Sequence, residues 1–482
     1  MLKPPVLVSA LLAAFALSTA AQDAWTPAGP APPGFDREQA GRETRALLEG
    51  LIRLDTRNPP GNERLAADLL AARLRDLPGV ELHLLDVGEG RANLIARLVA
   101  GAPAARPVIV MGHMDVVGTQ DEKWSTPPLV PTEREGYLYG RGAIDCKGPL
   151  AASLAAFLQL HARRAELRRD VILLCTAAEE GGPEVGIAWV LEHARQHLHD
   201  AELALNEGGR VRVEGGRIKS VNVQTTEKVY YEVRATARGP SGHGSVPLPD
   251  NALAALARAV ARVHAWRPPL RLTDTTRRYF AALAEVEPDP ALAQAMRDIG
   301  GPDLGARAAA QERLEGVPPH AAVLHAGIAL TKLEGGFRTN VIPSEGTATF
   351  NVRTVPGEDI AAIVSGMQAA GGEPQVTFEL VGQARVSPPE SPVTTPLYQA
   401  LAAAARAMAP EAPVIPFMST GATDGAALRA AGIPTYGILP FPLAQEDELR
   451  MHGDDERVPL RALAWGAELL YRTLLGVAGP GE

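Results

Sequence analysis

Glu179 and Glu180 stand side by side after an apolar run at residues 170–176 (DVILLCT) and before Gly181-Gly182-Pro183. Adjacent glutamates are ordinarily a solvated helix face. A pair that ends a buried strand and runs into glycines is instead displayed at a strand end. The arrangement recurs along the chain. His113 follows residues 107–111 (PVIVM) in the segment GHMD, and Glu207 follows residues 201–206 (AELALN) in NEGG. Asp145 lies among glycines in YGRGAID, and His452 near the carboxyl terminus in RMHGD. Mixed imidazole and carboxylate donors suit a divalent cation, zinc first, with cobalt or manganese as substitutes. The chemistry open to such a set is metal-ion chemistry.

Those side chains need a scaffold that delivers strand ends to one place. Apolar residues recur at three and four over residues 37–53 and 62–77, which predicts amphipathic helices. Residues 107–111, 170–176 and 201–206 are short apolar runs of the kind that form buried parallel strands, and residues 148–164 and 186–199 read as helices between them. Strands alternating with helices predict an α/β domain with a mainly parallel sheet between helices. Ligands of such sheets gather at the carboxyl ends of the strands.

The character changes at about residue 218. Residues 229–237 alternate as an antiparallel strand does. A helix over 251–265, strands over 329–333 and 347–353, a helix over 358–369 and a strand over 375–380 follow. That β-α-β-β-α-β order is the ferredoxin-like pattern, interrupted by residues 266–325. A helix over 396–409 and a strand over 435–439 return the chain to the first domain. The expected organisation is a leader (1–21), an α/β domain in two parts (22–217 and 387–482) and a smaller α+β domain inserted at 218–386.

A formal charge of −9 gives no electrostatic ground for a nucleic acid or an anionic membrane as partner. Residues 1–21 have the layout of a secretory signal, with Lys3, an apolar run over 6–17 and small residues at Ser18-Thr19-Ala20-Ala21. The run is too short for a comfortable membrane span. Export, to the periplasm or out of the cell, is the expectation, with no membrane attachment after signal removal. The two cysteines, Cys146 and Cys175, are no disulfide framework for so long a chain and read as buried thiols.

The strings GHMDVV, LYGRGAIDCKG, TAAEEGG, NEGG, GPSGHGS, TNVIP and STGATDG, in this order, resemble segments of metallopeptidase family 20. Its members are co-catalytic zinc enzymes that include aminoacylase, glutamate carboxypeptidase and succinyl-diaminopimelate desuccinylase. DVV after the histidine, the Trp124 segment and the long stretch before TNVIP look most like the carboxypeptidase S and fatty-acyl amino acid hydrolase group. The resemblance implies a zinc-peptidase catalytic domain with an inserted lid or dimerisation domain, and two Zn2+ per subunit. Asp145 would bridge the ions, His113 and Glu207 would complete one site, and Glu180 and His452 the other. Asp115 would accept a hydrogen bond from the His113 imidazole, and Glu179 would be the general base. The peptide bond after Asp145 would be cis; Cys146 departs from the residues expected there, and the ligand set is complete without its sulfur.

The resemblance further implies that His243 donates to the oxyanion and, in a homodimer formed through the inserted domain, reaches the neighbouring subunit's site. Asn340 and Arg353 would bind the substrate carboxylate, with Gly421, Thr423 and Asp424 lining the same pocket. The expected activity is cleavage of an amide or peptide bond next to a free carboxylate, on a small peptide or an N-acyl amino acid. A biosynthetic deacylase, such as acetylornithine deacetylase or the desuccinylase, is the alternative within the family, and the export signal argues against it. A non-catalytic binding protein on the same fold would have lost Glu179 or a metal ligand, and none is missing.

Overall fold

The computed structural model describes residues 25–385 and 387–480. The expected signal over 1–21 lies outside the described residues. The described chain divides into two compact units: Thr226–Glu390 with Phe417–Ala422, and the remainder.

The larger unit is built on an eight-stranded sheet. Its strands are β1 (Val80–Gly88), β2 (Arg91–Leu98), β3 (Val108–His113), β4 (Val171–Thr176), β5 (Leu203–Glu214), β6 (Arg217–Glu227), β11 (Val414–Ser419) and β12 (Thr435–Ala444). In space they run β11-β6-β12-β5-β3-β4-β2-β1. The four central strands, β12, β5, β3 and β4, are mutually parallel. β2 and β1 continue one edge antiparallel, and β6 joins β12 antiparallel.

Burial follows the two-residue period of a strand. Val108, Val110, Val171, Leu173 and Cys175 face one core, with α1 (Arg37–Ile52), α2 (Glu63–Leu74), α3 (Lys147–His161), α11 (Pro396–Met408) and α13 (Leu460–Ala478). Ile109, Met111, Ile172 and Leu174 face another, with α4 (Ile187–His193) and α12 (Gly425–Ala430). Apolar residues on both faces explain why β3 and β4 are unbroken hydrophobic runs. Among the described residues no helix is long and apolar enough to cross a membrane.

The smaller unit has the ferredoxin-like order. Strands β7 (Val229–Arg238), β8 (Gly327–Gly335), β9 (Glu345–Thr354) and β10 (Val376–Val381) form one sheet in the order β8-β9-β7-β10, antiparallel throughout. Helices α5 (Ala252–Ala265) and α10 (Ile360–Gly371) cover one face around Val233, Ala235, Phe350 and Val352.

The bounds of the compact units differ from those expected in three places. The boundary expected at 218 falls at Thr226, because β6 stays in the large sheet, and the second boundary falls at Glu390 instead of 386. Phe417–Ala422 groups with the smaller unit, not with the returning segment. The stretch over 266–325 is helical: α6 (Asp274–Leu283), α7 (Pro290–Asp298), α8 (Leu304–Glu315) and α9 (Pro318–Leu324). Thr273, Asp289 and Asp303 cap the first three with side-chain oxygens, local signals of a helix start.

Candidate metal centre

β3 ends in His113, whose ring is buried. Its Nδ1 lies 3.0 Å from the backbone carbonyl oxygen of Asp115 and 3.4 Å from the Asp115 carboxylate. Both acceptors belong to Asp115, the carbonyl being the nearer. Either one places the ring proton on Nδ1 and leaves the Nε2 lone pair for a ligand role. Nε2 faces Asp145 Oδ1 at 3.0 Å.

The other Asp145 oxygen, Oδ2, is 3.1 Å from His452 Nε2, and that nitrogen is 2.8 Å from Glu180 Oε1. One carboxylate is thus shared between two imidazoles, one at each oxygen. Among the described residues three groups of donor atoms lie close enough to hold an ion: His113 with Glu179 and Glu180, Asp145 with Glu180 and His452, and His113 with Asp145 and Cys146. The peptide bond between Asp145 and Cys146 is cis. Burial pushes the Cys146 thiol well above its usual range, so it is neutral beside the carboxylates. Cys146 and Cys175 are both free and buried.

Glu207, in β5, is buried and lies outside those three groups. Burial, and next the charge of Asp145, push its carboxyl up to about 8. Glu179 is pushed well above the carboxylate range by burial and by the charges of Glu207, Asp424 and Glu180, with His113 opposing. Hydrogen bonds to Asp145 and Glu180 raise His452 to about 10. So many acids in one low-dielectric place favour either protons or a cation. The imidazole and carboxylate donors fit a divalent cation.

Asp115, also buried, binds the backbone of the glutamate pair. Its Oδ1 accepts from Glu179 N and its Oδ2 from Glu180 N, each at 3.1 Å, and Oδ2 also accepts from Asn58 Nδ2 at 2.9 Å. Gly181 makes room for this: a Cβ there would run into the Asn58 amide. Asp424 accepts from Thr176 Oγ1 at 2.6 Å, at the end of β4. Thr423 Oγ1 accepts from Gly425 N at 3.2 Å. Gly421 N donates to Ser419 Oγ at 3.1 Å and groups with the smaller unit, so the three loop residues are divided between the units.

In the smaller unit the structure brings His243 and Asn340 together. Gly242–His243 pairs with Val341–Ile342, and Gly244 N donates to Asn340 O at 2.8 Å. His243 Nδ1 accepts from Ser245 N at 3.1 Å, which puts the ring proton on Nε2 as an exposed donor. Arg353, on β9, stacks its guanidinium 4.8 Å over the ring of Tyr230 and donates from Nε to Asn351 Oδ1 at 3.1 Å. Its Nη1 is buried and has no hydrogen-bond partner among the described residues.

Two residues with no role in the sequence reading hold the centre. Glu456, fully buried, accepts from Arg141 Nη1 at 2.5 Å, Gly142 N at 3.1 Å, Ile144 N at 2.7 Å and Asp145 N at 3.0 Å. Arg141 Nη2 donates to Gly453 O at 2.9 Å, beside His452. In sequence Glu456 ends a run of acids, Asp454-Asp455-Glu456, that looks like solvated surface.

Residues 109–476 match the model of peptidase family M20/M25/M40. The chain belongs to this family. Among M20 relatives, the N-fatty-acyl-amino acid synthase/hydrolase PM20D1 of Xenopus tropicalis is 27% identical over 366 residues, 74% of this chain and 70% of that protein. Aminoacylase-1A of Rattus norvegicus is 25% identical over 447 residues, 90% of this chain and 96% of that protein. An M20 family metallo-carboxypeptidase from Sulfolobus solfataricus has the same fold, with a TM-score of 0.65 at 18% identity, covering 90% of this chain and 98% of that one. The M20 chain is accordingly a metallohydrolase.

Proposed function

We propose that the protein is a dinuclear zinc hydrolase that cleaves an amide bond next to a free carboxylate and releases an amino acid, as an aminoacylase or carboxypeptidase does. The sharing of Asp145 between His113 at 3.0 Å and His452 at 3.1 Å carries this reading. His113 and Glu207 would hold one ion and Glu180 and His452 the other, with Asp145 between them. Such ions, when bound, polarise a carbonyl and lower the pKa of an attacking water.

Glu179, beside the ligands but not among them in this reading, takes the water's proton and returns it to the departing nitrogen. A raised pKa suits that exchange, because the carboxyl must release the proton it has just taken. His243 Nε2–H stabilises the oxyanion. Arg353, with an unused donor, and Asn340 bind the substrate carboxylate.

Two further parts of the reading concern the setting. The signal-like residues 1–21 support export, and the amino-terminal sequence of the mature protein tests it. Strand β8, an exposed sheet edge carrying Leu330 and Leu333, supports pairing of two copies through the smaller unit, which light scattering tests.

The deciding experiment measures free amino acid released by zinc-loaded protein from N-acyl amino acids and blocked dipeptides. Cleavage abolished by a chelator and by Glu179→Ala supports the reading, and the preferred substrates rank aminoacylase against carboxypeptidase. Activity that survives Glu179→Ala removes Glu179 as the base.

A further inference from the structure

The turn that carries the glutamate pair leaves β4 with four successive backbone N–H groups in no helix or strand. Unpaired, each would cost about 1–3 kcal/mol where it is buried. All four are captured by side-chain oxygens. Asn93 Oδ1 accepts from Ala177 N at 2.9 Å, Glu63 Oε1 from Ala178 N at 3.1 Å, and the two Asp115 oxygens from Glu179 N and Glu180 N. Ala178 also has φ +59, a left-handed conformation that a residue other than glycine holds only under constraint.

Glu63 and Asn93 are fully buried and lie far from the turn in sequence. Arg91 neutralises Glu63 through both oxygens, Nη2 to Oε1 at 2.5 Å and Nε to Oε2 at 2.9 Å. Asn93 Nδ2 donates to Val185 O at 2.9 Å, so one amide ties both ends of the segment around Glu179. Glu63 opens α2, where an acid would ordinarily serve the helix terminus; here its carboxylate accepts from the turn.

We propose that Glu63, held by Arg91, and Asn93 are positioning residues for the base: they fix the backbone from Ala177 to Ala178 while Asp115 fixes Glu179 and Glu180. This rests on the reading of Glu179 as the base. The cradle sets the direction in which the Glu179 side chain leaves the turn, and a base displaced by about 1 Å loses about 100-fold in rate.

The test uses the full zinc-loaded chain, wild type against Glu63→Ala, Glu63→Gln and Asn93→Ala. Bound metal, kcat, KM and hydrogen exchange of peptides covering residues 177–180 are measured. The expected result is two ions retained, kcat down about 10–100-fold with KM within about threefold, and faster exchange confined to the turn. Glu63→Gln, which keeps one acceptor oxygen, should lose less than Glu63→Ala. Unchanged exchange and unchanged kcat in a folded variant overturn the proposal. So does a uniform rise in exchange over the whole unit, which marks a structural role alone. If Glu63→Ala does not fold, Glu63→Gln and Asn93→Ala decide by the same criteria. If wild type cleaves nothing while exchange rises in the turn, the proposed activity fails and the anchoring of the turn stands.

Discussion

Glu456 and Asp145 are 311 residues apart, and Glu456 Oε1 accepts a hydrogen bond from the backbone N–H of Asp145 at 3.0 Å. The same oxygen accepts from Ile144 N, while Oε2 takes Arg141 and Gly142 N. One buried carboxylate therefore sets the loop that presents Asp145, and Arg141 carries the link onward to Gly453 beside His452. Glu456→Gln puts an NH2 against donors and leaves the Arg141 charge without its counter-ion. A loss of about 3–5 kcal/mol is expected from breaking a buried pair, with metal affinity lower by about 10–100-fold. Denaturant unfolding and metal titration measure the two effects. Wild-type affinity for metal in the variant would show that the loop holds its shape without Glu456.

The pH profile should report the surroundings of Glu179. The charges of Glu207 and Asp424 both raise its pKa. A base works only when deprotonated, so kcat rises with pH through the pKa of Glu179. Asp424→Asn removes a negative charge that opposes ionisation. The acid limb of log kcat against pH should then move to lower pH, whatever happens to the plateau. A limb that stays in place, or moves up, means that Asp424 does not act on the base.

Metal uptake should release protons. In the stripped protein His452 lies at about 10, raised by Asp145 and Glu180, and Glu207 at about 8. At pH 7 both are protonated, whereas ligands must be deprotonated to bind. Calorimetric titration with zinc in buffers of different ionisation enthalpy should show about two protons released from these groups, and about one fewer in His452→Gln. For stability the sign is that of a raised imidazole. The stripped protein gains from protonated His452 below its unfolded pKa, about 6.5, and loses that gain as pH rises towards about 10.

The clustered residues of the candidate metal site stood out in sequence because their types break the pattern around them: His113 and the Glu179–Glu180 pair each follow a run of buried β-branched and aliphatic residues. Glu63, Arg91, Asn93 and Glu456 were not. An acid opening a helix reads as a dipole partner, and the polar residues of β2 (RANLIARL) hide an inner strand. What defines these residues is the distant backbone that they satisfy, and no local period encodes that. β6 (RIKSVNVQTTE) was missed for a related reason. Its buried polar side chains, among them Asn222, Gln224 and Thr226, look like surface in sequence. The helices over 266–325 carried capping residues, but they are short, at 7–12 residues each, so each shows only two or three turns of apolar period.

Arg353 offers the sharpest test of substrate recognition. Its guanidinium is held by Asn351 Oδ1 and by the face of Tyr230, while Nη1 is buried and has no partner among the described residues. A buried donor left unsatisfied is costly, and a carboxylate is the acceptor that a planar guanidinium fits best. Arg353→Lys keeps the charge but loses the fork and the stacking. For an N-acyl amino acid substrate KM should rise by about 10–100-fold with a smaller change in kcat, because the lost contact is made in ground and transition states alike. Esterifying the substrate carboxylate should impose a similar penalty on wild type and little further on the variant. If KM stays constant and only thermal stability falls, Arg353 is a structural cation stacked on Tyr230, and the carboxylate must be sought by another residue.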